Sequence, residues 1–131
     1  VRKIVSTLES DDVSEATKHL KEYRPWGWFE SLTLITGYQV KRLHVYSRSR
    51  TSFQSHKHRS EHWVVTSGRA TVWREDEVFT LEVNESVYIE AGLKHRLVNE
   101  TDEPLTVIEV QIGSYLGEDD IIRYEDAYNR S

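Results

Sequence analysis

The sequence predicts an all-β domain, folded as a barrel or a sandwich. Three observations point there. Short segments rich in Val, Ile, Tyr, Trp and Thr recur from Tyr38 onward. Turn-forming residues separate them, and no long helical pattern interrupts them. The strand candidates are 38–46, 62–66, 70–74, 77–81, 86–89, 95–99 and 105–111. Between them lie Ser67-Gly68, Glu75-Asp76, Val83-Asn84-Glu85, Ala91-Gly92 and the stretch 100–104. Strands this short and this evenly spaced suit a closed or two-layered β architecture. A parallel sheet would need crossover helices that the pattern does not supply.

The flanks read differently. Asp12 and Glu15 have capping-box spacing, and Val13, Ala16 and Leu20 recur at helical intervals, so residues 1–23 are expected to form a short helical lead-in or linker. Residues 24–30 are aromatic, with Pro25 and Gly27 as breakers, and read as a turn. The tail 116–131 is acidic and then aromatic, and suits a short closing helix or an extended arm. The chain of 131 residues is expected to hold one folded domain, from residue 24 to its end.

Composition narrows the function classes. Cysteine is absent, which removes disulfide frameworks and thiolate metal sites and suits a cytoplasmic setting. The formal charge of -5 argues against nucleic acid as a partner, and no apolar run is long enough to span a membrane as a helix. Methionine is also absent, the initiator included, so the sequence is expected to have lost its first residues or to have been cut from something longer.

The densest chemical signal runs from Gln54 to Trp63. Gln54, His56 and His58 alternate, so on a strand they share one face, and Glu61 follows at an expected hairpin. A second signal surrounds His95. Imidazole nitrogen and carboxylate oxygen are ligands for a borderline divalent metal. Alone, a His-x-His pair describes a solvated hairpin equally well. Four of the six histidines fall between 56 and 95 beside a well-spaced Glu, and that favours a metal site.

These residues resemble the two motifs of the cupin superfamily. Gln54, His56, Glu61 and Gly68 match the first, and Gly92, His95 and Asn99 the second, with every spacing kept. Arg48, Asn84 and Glu90 replace the glycine and proline of the motif turns. The resemblance implies a double-stranded β-helix, or jelly-roll barrel, and a ligand set of Gln54, His56, Glu61 and His95. His58, in step with His56, is the alternative to Gln54. Arg24-Pro25-Trp26-Gly27, Gln39-Val40-Lys41-Arg42, Arg59-x-Glu61-His62-Trp63, Lys94-His95-Arg96-Leu97 and the run from Gln111 to Ile121 are similar to the C-terminal cupin of type II phosphomannose isomerases. That cupin is usually fused behind a mannose-1-phosphate guanylyltransferase domain, so a fused or separate partner domain is implied, as is a homodimer.

The resemblance implies metal-dependent conversion of mannose 6-phosphate to fructose 6-phosphate, in mannose activation for nucleotide sugars and polysaccharides. Zinc is the expected ion, with manganese, cobalt, nickel or iron as alternatives. An aldose–ketose isomerase needs a base near neutrality. Glu109, in an apolar strand, and His62, beside Glu61, are the catalytic candidates, with Lys94 a third. Arg42, Lys94 and Arg96 are the candidates for a substrate phosphate. Two other readings stand beside this one: an isomerase or epimerase of another sugar or sugar phosphate, and a non-catalytic sugar-binding or dimerising cupin.

Overall fold

Twelve strands and no helix make up the described residues, 21–125, of the computed structural model. In chain order they are β1 (Glu22–Arg24), β2 (Gly27–Ile35), β3 (Tyr38–Val45), β4 (Ser49–Arg50), β5 (Phe53–Ser55), β6 (Arg59–Ser67), β7 (Ala70–Arg74), β8 (Glu77–Leu81), β9 (Ser86–Ile89), β10 (His95–Asn99), β11 (Leu105–Gly113) and β12 (Ile122–Glu125). One sheet runs β1-β2-β3-β11-β6-β9. The other runs β12-β5-β10-β7-β8, with β4 also on β10. Every pairing is antiparallel.

The two sheets enclose one interior with two unlike ends. Strands β3, β11 and β6 lie side by side in register, pairing Leu43 with Val107 and Val107 with Val65. Farther along the same faces, Lys41 pairs with Glu109, and Gln111 pairs with Gln39 and Glu61. Side chains alternate along a strand, so positions two apart share a face. The inward face is therefore apolar at Val45, Val65, Leu105 and Val107 and polar at Gln39, Lys41, Glu61, Glu109 and Gln111, all of them buried. Trp26, Phe29, Trp63, Val72, Ile89 and Leu97 complete the apolar end. Burying apolar surface there stabilises the barrel by about 25 cal/mol per Å².

The strand expectations match closely from residue 38 onward, and β7 to β10 keep the expected bounds. Two readings are corrected. Residues 27–30 are not a turn: Gly27 opens the nine-residue strand β2. A Cβ on Gly27 would lie 1.8 Å from the His44 carbonyl oxygen, so this glycine serves close strand contact, not chain reversal. The helical lead-in falls mostly on residues 1–20, outside the described residues. Its last stretch enters β1, which pairs with β2, so Glu22 is already part of the barrel pairing. In the tail, Ile122–Glu125 takes the extended alternative and pairs with β5.

The substituted turns keep a glycine-like backbone. Arg48 has φ 58 and Asn84 has φ 78, in the left-handed region. Arginine holds that conformation at a cost of about 1–2 kcal/mol. Its ion pair with Asp102, at 2.9 Å, is exposed on both sides and offsets little of that. Arg48→Gly is expected to raise the unfolding free energy by up to about 1 kcal/mol, measured by urea denaturation.

Asn99 ties the loops at the other end of β10. It is fully buried, and its Nδ2 donates to the carbonyls of Val45, Tyr46 and Glu103 at 3.1, 3.2 and 2.8 Å. Its Oδ1 accepts from the N–H and hydroxyl of Thr101 at 3.0 and 2.8 Å. Asn99→Ala is expected to cost about 2–4 kcal/mol in the same denaturation, since several buried carbonyls lose their donor.

Candidate metal centre

Glu61 projects from β6 into the polar end of the barrel and is 2 % exposed. His95 opens β10 in the facing sheet, and His56 follows β5 directly. One ligand atom from each of these three residues falls within 4.8 Å of the others. His56 Nε2 stands 3.3 Å from Glu61 Oε2, and His95 Nε2 stands 3.8 Å from Glu61 Oε1. Gln54 pairs with His95 across β5 and β10 and lines the same cavity.

Each imidazole is oriented by a backbone carbonyl. His56 Nδ1 lies 2.7 Å from the Asp120 oxygen and His95 Nδ1 lies 3.0 Å from the Leu93 oxygen. A carbonyl only accepts, so each Nδ1 carries the proton and each Nε2 keeps a lone pair towards Glu61. The amide of Gln54 donates through Nε2 to Ser52, at 3.2 Å to its hydroxyl, which leaves Oε1 as its ligand atom. Two imidazole nitrogens, a carboxylate and an amide oxygen form a donor set that fits a divalent ion.

A cation already occupies this cluster. Arg59, 6 % exposed, donates from Nη2 to Glu61 Oε2 at 2.9 Å and to His56 Nε2 at 3.1 Å, and from Nε to Glu61 at 3.0 Å. Its Nη1 is buried with no hydrogen-bond partner. The indole of Trp63 donates to the second Glu61 oxygen at 2.8 Å. This guanidinium is a positive charge held on the atoms a metal would take.

Protonation states agree with this geometry. Burial, with the charge of Arg59 adding to it, pushes the His56 pKa down to about 4. Burial alone is the leading cause at His95, also down to about 4. Both rings are therefore neutral at pH 7, as metal ligands must be. Burial works against the Arg59 cation, but Glu61, Glu109 and Glu118 outweigh it and raise its pKa. Glu109 is pushed up to about 8, by burial first and then by the neighbouring Glu61 carboxylate. Gln111 donates to Glu109 Oε1 at 3.2 Å, Gln39 donates to Gln111 at 2.9 Å, and Ser31 donates to Gln39 at 2.8 Å.

The expected site residues divide between inside and outside. Gln54, His56, Glu61, His95 and Glu109 line the cavity together. His62 sits on the outer face of β6, its ring tilted against that of Tyr88 at 4.7 Å. Arg42 sits on the outer face of β3, bound to Glu30 at 3.1 Å. Lys94 lies over the Tyr124 ring at 4.5 Å, and Arg96, fully buried, stacks on Trp73 at 5.3 Å. These four do not line the cavity: His62, Arg42 and Arg96 each neighbour an inward residue on their strand and alternation turns them away, while Lys94 lies just before β10. His58 is exposed, since β5 ends at Ser55 and the shared face with His56 ends with it; its ring meets Tyr115 at 6.2 Å. Lys41, Arg59, Gln111 and Glu118 line the cavity and were absent from the expected site. Arg59 lies two residues before Glu61 on β6, and that spacing was the available signal.

Solved structures share this fold. A Klebsiella pneumoniae protein with a double-stranded β-helix domain superposes with TM-score 0.70 at 17 % identity, over 85 % of this chain and 95 % of its own. An oxalate decarboxylase from Lactobacillus farciminis gives 0.72 at 14 %, over 82 % and 34 %. A cupin 2 conserved barrel protein from Salinispora arenicola gives 0.64 at 19 %, over 72 % and 82 %. The fold is thus that of a cupin, with a His-Glu-His cluster inside its barrel. Within that class, the chain belongs to the family described as mannose-6-phosphate isomerase C-terminal, which matches residues 11–126. The xanthan biosynthesis protein XanB of Xanthomonas campestris is 52 % identical over the whole chain, which covers 28 % of XanB. The alginate biosynthesis protein AlgA of Pseudomonas aeruginosa is 47 % identical over the whole chain, which covers 27 % of AlgA. The mannose-1-phosphate guanylyltransferase ManC of Salmonella typhimurium is 46 % identical over 99 % of the chain, which covers 27 % of ManC. The chain thus spans less than a third of the length of these relatives.

His95→Ala is expected to weaken zinc binding by more than about 100-fold, read by competition with a chromogenic chelator. His58→Ala, on the outside, is expected to leave it unchanged.

Proposed function

We propose that this domain isomerises mannose 6-phosphate to fructose 6-phosphate, with one divalent ion, zinc foremost, held by Gln54, His56, Glu61 and His95. The observation that carries the reading is the convergence of His56, Glu61 and His95 beside the buried carboxyl of Glu109. Membership of the mannose-6-phosphate isomerase C-terminal family supports the substrate. The names of the relatives support a place in nucleotide-sugar and polysaccharide biosynthesis. A longer polypeptide with a guanylyltransferase domain belongs to the same proposal, because the chain covers 27 % of ManC. So do a homodimer and a cytoplasmic setting, where sugar phosphates are available. Among the described residues, no helix is long and apolar enough to cross a membrane.

The reaction moves one proton from C2 to C1 and a hydroxyl proton from the C2 oxygen to the C1 oxygen. A divalent ion in the site would polarise the sugar carbonyl and offset the negative charge that develops on its oxygen. The chain's own residues do the rest. Glu109, in its carboxylate form, takes the C2 proton and returns it to C1; a cation beside Glu61 would offset the Glu61 charge that raises the Glu109 pKa and so favour that form. Gln111, anchored through Gln39 and Ser31, fixes the position of the Glu109 carboxyl. His62 is the other proton-transfer candidate, and its place on the outer sheet face leaves that role to Glu109. Trp63 and the carbonyls of Leu93 and Asp120 hold the ligand side chains in place.

A coupled assay of mannose 6-phosphate on chelator-stripped protein, with single metals restored, tests the proposal. Turnover is expected to require metal. Glu109→Gln keeps an oxygen for Gln111 and is expected to lower kcat by about 10²- to 10⁴-fold, with metal content unchanged. Full kcat in that variant would remove Glu109 from the mechanism.

A further inference from the structure

Lys41 is the other cation inside the cavity, and it is unusually placed. Its side chain is 5 % exposed, and Nζ sits over the Phe29 ring, 4.3 Å from the centroid. A lysine ammonium is strongly hydrated and is buried only at a cost unless paired. Its partner is Glu118, whose carboxylate meets Nζ from the cavity rim. Glu118 is 56 % exposed and belongs to no strand.

The loop that carries Glu118 is fastened at other points. The N–H of Asp120 donates to the Gly117 carbonyl at 3.1 Å, which closes a turn with Glu118 and Asp119 at its tip. The Asp120 carboxylate accepts from the N–H groups of Lys57 and His58 at 3.0 and 2.8 Å. The hydroxyl of Tyr115 donates to Asp119 at 2.5 Å. None of these bonds uses the Glu118 side chain, so it can swing to solvent while the turn stays in place.

The size of the cavity requires some such movement. It measures about 80 Å³. Sites for small organic ligands ordinarily offer about 300–1,000 Å³. A sugar phosphate therefore enters only if rim side chains leave. It also brings an anion into a cavity whose lining cations, Lys41 and Arg59, are both held by carboxylates.

We propose that Lys41 is the anchor for the substrate's phosphate monoester, and that Glu118 occupies that anchor until the phosphate displaces it. The proposal rests on reading the cavity as a sugar-phosphate site, and it names the residue that recognises the phosphate. Glu118 keeps the Lys41 charge paired in the empty site and selects for a ligand able to replace a carboxylate. A neutral sugar offers Lys41 no charge in exchange and is discriminated against.

Inorganic phosphate titrated calorimetrically into the zinc-loaded intact chain tests this without turnover. Glu118→Gln is expected to bind phosphate about three- to tenfold more tightly than the parent, because the competing carboxylate is gone. Asp119→Asn, which removes a negative charge one residue away, is expected to leave phosphate affinity unchanged. Lys41→Met is expected to abolish phosphate binding, with zinc content and circular dichroism retained. If that variant fails to fold, the Glu118 and Asp119 pair still decides. Unchanged or weaker binding in Glu118→Gln, or an equal gain in Asp119→Asn, would overturn the proposal. Tighter phosphate binding without mannose 6-phosphate turnover would defeat the isomerase reading alone, and turnover without the tightening would defeat this one alone.

Discussion

The polar end of the barrel depends on one buried carboxylate. Glu61 is almost fully enclosed, yet it makes four close polar approaches, to Arg59, Trp63, His56 and His95. An isolated charge in such a place would cost several kcal/mol. Arg59 and Trp63 offset that cost by donating to both of its oxygens. Arg59 and Trp63 flank Glu61 on the same strand face, while His56 and His95 arrive from the opposite side. The Nε2 lone pairs of His56 and His95, turned towards Glu61 from the facing sheet, make the same cluster able to hold a cation. Stability and chemistry at this end of the molecule are therefore one arrangement.

This arrangement is possible because the apolar end carries the fold. Along β3, β6 and β11, inward positions switch from Val and Leu to Lys, Glu, Gln and Arg partway along each strand, and register aligns the switch across all three. One half of the interior supplies the hydrophobic driving force. The other half can then afford paired charges. Glu109 sits where that switch occurs, next to Trp63 and Lys41 in register, which explains how a carboxyl there is kept from water.

Much of the fold was legible because β-branched and aromatic residues cluster between clear turns after residue 38. Strand β2 was not, since Pro25 and Gly27 resemble breakers, while Gly27 in fact makes room for the His44 carbonyl. The short strands β4 and β5 carry too few residues for any periodicity. In the site, the spacing of Gln54, His56, Glu61 and His95 points to residues that the fold does bring together. The basic residues were harder. Arg42, Lys94 and Arg96 stand next to inward residues in sequence and face elsewhere, whereas Lys41 and Arg59 face in. A single sequence does not state which face of a strand is buried, and a shift of one residue exchanges the two sets. Glu118 lies on a loop, where no periodicity applies, and only the folded chain brings it to Lys41.

Anomalous diffraction at the zinc edge, from crystals of the zinc-loaded chain, tests the central claim most directly. The account predicts one strong peak inside the barrel, within about 2.0–2.2 Å of His56 Nε2, His95 Nε2 and a Glu61 oxygen, with Arg59 moved off them and Gln54 Oε1 as the fourth ligand. A peak at the exposed His58 or His62 instead, or an interior without one while Arg59 keeps its place on Glu61, would contradict it.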